Sequence, residues 1–285
     1  MKVQCFRPIT IYGGKNWRFK SGEGMEVPCG KCIGCKKQRA RDWSVRLLHE
    51  LSYHKRSCFI TLTYDDEHYP ENGSISKREL QLFFKRLRKA YEWREQVIKY
   101  FACGEYGERT NRAHYHSIIF GVGFRELKPY QVSTKDSKPV FSSVELERLW
   151  SLGNVTIGSV DIKSINYVTG YIRKKLGSRE YGTLEPPFQL QSQGLGLEYA
   201  KENENKVVNL GLTLQGNKVT TPRYYLKKLG INRDRANELM EKRSDQINKV
   251  AKERKISWND VAIEDREQRE RNQKAKDDLF KRGKI

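Results

Sequence analysis

Two histidines, His114 and His116, stand two residues apart in Arg112-Ala-His-Tyr-His-Ser-Ile-Ile-Phe120, a run whose apolar remainder predicts a buried strand. Successive strand side chains point to opposite faces, so both imidazoles share one face and can serve as paired ligands for a divalent metal. His-x-His is a short signal, and it suits two hydrogen-bonded core histidines equally well. A second group, Cys29-Gly-Lys-Cys32-Ile-Gly-Cys35, brings three sulfurs round one centre. Tetrahedral zinc needs a fourth ligand, for which Cys5, Cys58 and His49 are candidates and Cys5 is the choice; unliganded buried thiols are the alternative. A ferredoxin-type run would want a further cysteine where Arg39 stands. The third group is Tyr167 and Tyr171, one helical turn apart on one face, with Lys174 following at i+7. Spacing alone lets these tyrosines be core residues as readily as reactive ones.

Each group needs an element to hold it. Cys58-Phe-Ile-Thr-Leu-Thr-Tyr64 alternates in a way that predicts a strand with two packable faces. A second strand, about Val97 to Tyr106, reaches the histidine strand through Gly107 to Arg112, a connection short enough to imply an antiparallel hairpin. With its turn centred between Arg109 and Thr110, Glu105 lies across from His114 with Cβ atoms ~4.5–5.5 Å apart, completing a His, His, Glu site. A nearby arginine is the competing partner for Glu105. Ser76-Lys-Arg-Glu79 is a capping box, and Leu80, Phe83, Phe84, Leu87 and Tyr91 stripe the helix it opens. A short helix around Ser143–Trp150 and a strand-like stretch from Val155 to Ile162 come next. From Ser164 to Gly177 a Ser cap, a Gly stop and a basic last turn predict the tyrosine helix. Behind the cysteines, Ala40, Trp43, Leu47 and Leu51 recur at helical spacing, with Lys36, Lys37, Arg39, Arg41 and Arg46 beside them. That basic face either lies on phosphates or is simply solvated.

The chain has 285 residues, enough to bury a sizeable core, and a formal net charge of +20. So large an excess favours a polyanionic partner, nucleic acid first, with aromatics interleaved for stacking. No apolar run approaches ~20 residues and no signal-peptide pattern opens the chain, so a membrane partner is not expected. The sequence divides into a Cys-rich segment with a basic helix (1–57), a core (58–185), an aromatic-basic extension (186–231) and a charged helical tail (232–285). In the extension, Pro222-Arg223-Tyr224-Tyr225 either contacts DNA or packs as a tyrosine corner. No Gly-x4-Gly-Lys-Ser/Thr phosphate loop occurs.

Taken in order, Phe59-Ile-Thr-Leu-Thr-Tyr64, His114-Tyr-His116 and Tyr167-x3-Tyr171-x2-Lys174 resemble the three motifs of the HUH rolling-circle replication initiators. Cys5, Pro28-Cys-Gly-Lys-Cys-Ile-Gly-Cys35, Cys103-Gly-Glu-Tyr-Gly107 and Pro222-Arg-Tyr-Tyr225 look like the initiators of the gokushovirus branch of small single-stranded DNA phages. The resemblance covers most of residues 1–230. Tyr115 departs from it, since many HUH sites carry an apolar residue between the histidines; it falls on the opposite strand face. What the resemblance implies is an α+β fold: an HUH core with a central antiparallel sheet, packed helices, an N-terminal Cys-rich segment and a helical tail. It further implies a metal-dependent nickase in the host bacterial cytoplasm, acting on single-stranded and replicative-form viral DNA at the origin. Mg2+ or Mn2+ on His114, His116 and Glu105, catalytic Tyr167, Tyr171 and Lys174, and a structural Zn2+ on Cys5, Cys29, Cys32 and Cys35 follow from it. Arg39, Arg46, Arg223 and Tyr224 are the expected DNA contacts, and a host helicase and polymerase the expected partners. A non-catalytic zinc-containing regulator and an HUH transposase or relaxase are the competing readings.

Overall fold

The two apolar alternations in 57–63 and 113–120 pair with each other, and the sheet grows outward from that pair. A computed structural model describes residues 5–12, 24–92, 97–107, 109–130, 139–174, 181–208, 212–214 and 217–230, with isolated positions between 249 and 274. In chain order the elements are β1 (Ile9–Tyr12), β2 (Gly24–Val27), α1 (Ile33–Leu51), β3 (Ser57–Thr63), α2 (Lys77–Ala90), β4 (Lys99–Tyr106) and β5 (Ala113–Phe120). They continue with β6 (Lys128–Tyr130), β7 (Val140–Ser142), α3 (Val144–Trp150), β8 (Val155–Gly158), α4 (Ile162–Lys174) and β9 (Phe188–Gln191). Last come α5 (Leu197–Glu202), α6 (Glu204–Val208), β10 (Thr213–Leu214), β11 (Asn217–Lys218) and α7 (Arg223–Lys228). The chain is α+β and forms two compact units, Trp43–Glu202 and Met1–Asp42 with Asn203–Ile285. Among the described residues no helix is long and apolar enough to cross a membrane.

The larger unit is built on a seven-stranded sheet in the order β6-β7-β8-β3-β5-β4-β9, every pairing antiparallel. Period-two alternation divides its side chains between two cores. One face puts Ile60, Leu62, Tyr115 and Ile119 against Leu80, Phe83, Phe84 and Leu87 of α2 and Leu146 and Trp150 of α3. The other puts Phe101, Ile118 and Phe120 against Leu47 of α1 and Ile165, Val168 and Tyr171 of α4.

Local chemistry sets these helices in place. Ser76 caps α2 by accepting from the Glu79 amide at 3.2 Å, as the capping box predicts. Arg86, on the outer side of α2, donates to the carbonyls of Leu149 and Trp150 at 2.7 and 3.0 Å, satisfying the exposed end of α3. Gly153, at φ +142°, follows α3 where a Cβ would come within 2.2 Å of the Asp65 amide, so no other residue fits that approach. The tyrosine helix starts earlier than the Ser164 cap predicts. Asp161 is its cap: the Ser164 amide donates to Asp161 Oδ1 and the Asp161 amide to Ser164 Oγ, both at 2.8 Å. The preceding strand therefore stops at Gly158 rather than reaching Ile162. Short strands β6 and β7 border what reads in sequence as polar loop; three residues each are too few for a periodic signal.

In the smaller unit β1 pairs with β2, bringing Ile9 opposite Val27, and α6 lies with α7. Most of the tail from 232 to 285 lies outside the described residues.

Candidate metal centre and active site

The β4–β5 ladder sets Glu105 directly opposite His114 and Cys103 opposite His116, the register that a turn between Arg109 and Thr110 requires. Glu105 Oε1 then lies 2.9 Å from His114 Nε2 and 3.3 Å from His116 Nε2. Each imidazole is aimed by its other nitrogen. His114 Nδ1 meets the Arg112 carbonyl at 3.0 Å, so Nδ1 carries the proton and Nε2 presents a lone pair to the carboxylate in the neutral ring. His116 Nδ1 is 3.0 Å from Thr61 Oγ1 on β3, where Thr61 pairs with His116. An imidazole lone pair and a carboxylate oxygen cannot face each other at these distances without a cation between them, either a shared proton or a metal ion. Two imidazoles and one carboxylate are a donor set suited to a divalent ion, and the three residues fit one.

Burial pushes the Glu105 carboxyl up, but hydrogen bonds from His114, His116 and Tyr171 outweigh it and hold the pKa at about 2. The carboxylate is thus ionised at any working pH.

α4 crosses the same sheet face and brings both tyrosines to the triad. Their rings lie 5.0 Å apart, centroid to centroid, and His116 is 5.1 Å from Tyr167 and 5.6 Å from Tyr171. The two phenols are not equivalent. Tyr167 is 50% exposed, with its hydroxyl 3.4 Å from His116 Nε2. Tyr171 is 7% exposed and gives its hydroxyl hydrogen bond to Glu105. Burial, then the contacts with Glu105 and Tyr167, push the Tyr171 phenol far above the ordinary tyrosine value. The side chain of Lys174 lies outside the described residues.

Tyr115, between the histidines, is fully buried on the opposite face, its hydroxyl 2.5 Å from Tyr64 Oη and 2.7 Å from the Ser76 amide. It ties the histidine strand to the α2 cap. Sequence reasoning did not single out Thr61 or the Arg112 carbonyl. The signal for Thr61 is present: it shares parity with Phe59, which stacks on His116 with centroids 5.6 Å apart.

The four cysteines of the smaller unit also converge. Cys5 Sγ lies 3.6 Å from Cys29 Sγ and 3.8 Å from Cys32 Sγ, and Cys29 Sγ lies 4.0 Å from Cys35 Sγ. Cys58 is buried in the sheet core instead. His49 stacks on Tyr199 with centroids 3.6 Å apart. Of the basic residues expected on DNA, Arg39 and Arg223 are exposed and Tyr224 is half-buried. Arg46 requires a correction. It is 8% exposed, its Nε donates to the Leu195 carbonyl at 3.1 Å, and its guanidinium sits 4.0 Å over the Trp43 ring. Those contacts make it a packing residue that no phosphate can reach.

The chain's relatives share this layout by sequence. A family described as that of the replication-associated protein ORF2 matches residues 57–176, from the start of β3 past the end of α4. Replication-associated protein ORF2 of Spiroplasma virus 4 is 32% identical over 72% of this chain and 72% of its own. The chain belongs to the family of viral replication-associated proteins. Replication-associated protein VP4 of Bdellovibrio phage phiMH2K is 30% identical over 78% of this chain and 76% of its own. Replication-associated protein ORF4 of Chlamydia phage 1 is 29% identical over 71% of this chain and 54% of its own. No solved structure matches.

Proposed function

We propose that this protein is a rolling-circle replication initiator with an HUH nuclease core, which nicks the viral strand of replicative-form DNA at its origin. The observation that carries the reading is the convergence of Glu105, His114 and His116 with two phenols one helical turn apart. Membership of a replication-associated family and the net charge of +20 support it. A zinc-containing regulator would leave that convergence without a purpose.

A divalent cation such as Mg2+ or Mn2+, bound by the triad, supplies Lewis-acid polarisation of the scissile phosphate. The chain's own residues do the rest. Tyr167, half-exposed and beside His116, attacks phosphorus as the phenolate; the new O–P bond replaces the P–O3′ bond, and the 3′ oxygen leaves as a hydroxyl that primes synthesis. His116 Nε2, 3.4 Å from that phenol, is placed to take its proton. Lys174 stabilises the developing phenolate charge. The phosphodiester energy is kept in the 5′-phosphotyrosine, so rejoining requires no nucleotide. Tyr171 is the second nucleophile: released from Glu105, it cuts the regenerated origin while the first link is resolved by the free 3′-hydroxyl. Residues 58–185 form the nuclease core, the segments 1–57 and 186–231 add DNA contacts through Arg39, Arg223 and Tyr224, and 232–285 is a helical tail. Lacking a phosphate-binding loop, the protein works with a host helicase and polymerase in the bacterial cytoplasm.

Incubation with a single-stranded origin oligonucleotide and Mn2+ should yield a covalent protein–DNA band. Each single Tyr→Phe variant should retain adduct formation, Tyr167→Phe forming it more slowly, and the Tyr167→Phe/Tyr171→Phe double variant should form none. His114→Ala/His116→Ala should be equally inert. Undiminished adduct from either double variant ends the proposal.

A further inference from the structure

The nicking chemistry makes no use of the four cysteines, and their geometry is specific. A tetrahedral ion with metal–sulfur bonds of ~2.3 Å needs sulfurs ~3.8 Å apart. The three recorded separations, 3.6, 3.8 and 4.0 Å, bracket that edge. A disulfide would need ~2.05 Å. Backbone amides point at the sulfurs: Phe6 N at 3.4 Å from Cys32 Sγ, Cys29 N at 3.3 Å from Cys5 Sγ, and Cys32 N at 3.3 Å from Cys29 Sγ. Such donors favour thiolates, the form that binds a metal.

What surrounds the cluster gives it a task. Arg7, two residues past Cys5, places Nη2 3.3 Å from Glu270 Oε1. Glu26, three residues before Cys29, accepts from Arg266 Nη1 at 3.0 Å and Nη2 at 2.5 Å. Phe6, Arg7, Ile263, Arg266 and Glu270 line one cleft. Ion pairs as exposed as these contribute little by themselves, so docking depends on both anchors being held in position. Ligation of Cys5 and Cys29 by one ion would fix the two anchors relative to each other.

We propose that Cys5, Cys29, Cys32 and Cys35 bind one Zn2+, and that this ion holds the platform on which the segment around residues 263–274 docks. The inference is independent of the nuclease reading, and its readouts do not involve DNA. The ion is redox-inert and structural, distinct from the one at the triad.

Full-length protein purified without chelator should carry one zinc per chain by elemental analysis, and Cys32→Ser/Cys35→Ser should carry none at this site. Trypsin cleavage after Arg266, Arg271 and Lys274, followed by mass spectrometry, should accelerate about tenfold or more when zinc is stripped, because local opening exposes the segment. Adding zinc back to stripped wild-type protein should restore protection, which decides the matter even if the cysteine variant fails to fold. Glu26→Gln should keep its zinc yet lose part of the protection. Folded full-length chain with no metal at the cysteines, or with iron there, overturns the site. Equal cleavage rates for loaded and stripped protein overturn the docking role.

Discussion

Two clusters in this molecule gather metal-ligating atoms within 4.8 Å of one another, and they are built in opposite ways. The Glu105–His114–His116 triad sits on adjacent strands whose ladder sets its spacing, with Thr61 and the Arg112 carbonyl aiming the imidazoles. The cysteine cluster draws three ligands from a loop and the first turn of α1, and a fourth from 24 residues upstream. Backbone hydrogen bonds and packed cores preorganise the first without an ion. The second has few such restraints, so its geometry and its ion are one thermodynamic event.

The largest expected difference lies in folding. After chelation, hydrogen exchange should leave the β3, β4 and β5 amides protected, whereas residues 24–35 lose protection, since structural zinc is worth roughly 10–16 kcal/mol in small zinc domains. Equal loss in both regions would show that the sheet site also depends on metal to fold. A smaller effect should come from Thr61→Val, which removes the hydroxyl aiming His116. Metal affinity at the triad should fall about 10–100-fold while zinc at the cysteines stays stoichiometric. Calorimetric titration that finds triad affinity unchanged would assign the aiming of His116 to packing alone.

The smallest concerns acid. His49, 6% exposed, stacks on Tyr199 in the sheet unit, and burial lowers its pKa to about 4. Its folded value lies below the unfolded one near ~6.5, so the stability linked to the neutral ring is full above that pH and is lost as pH falls toward 4. By roughly pH 5 the loss is about 2 kcal/mol. Thermal melts at pH 7 and 5 should therefore differ less in His49→Phe than in the wild type. Identical pH dependence would remove His49 from the acid response and leave the contrast between the units one of metal alone.

Local patterns were legible wherever the physics is short-range. The Ser76–Glu79 capping box, the α2 stripe and the two strands around His116 are properties of neighbouring residues. The same holds for Glu105 facing His114, because a short hairpin turn leaves the register little freedom. Less legible were features whose signals are weak or shared. Asp161 caps α4 where Ser164 seemed the natural choice, since both residues belong to one reciprocal hydrogen-bonded pair. Arg46 reads as one more basic residue on a solvated face, yet β9 and the turn before α5 fold over it and Leu195 claims its guanidinium.

The sequence by itself determined the ligand types, the strand parity that puts both imidazoles on one face, and the helical spacing that pairs the two phenols. Those follow from periods of 2 and 3.6 residues and from one short turn. Only the tertiary structure decided that α4 crosses the histidine face rather than the opposite one, because both faces of the sheet are apolar and either could receive it. It also decided the inequality of the tyrosines. Tyr171 is buried against Glu105 and Tyr167 stands half in solvent, a difference created by how deep α4 sinks onto β4 and β5 and written in no local pattern.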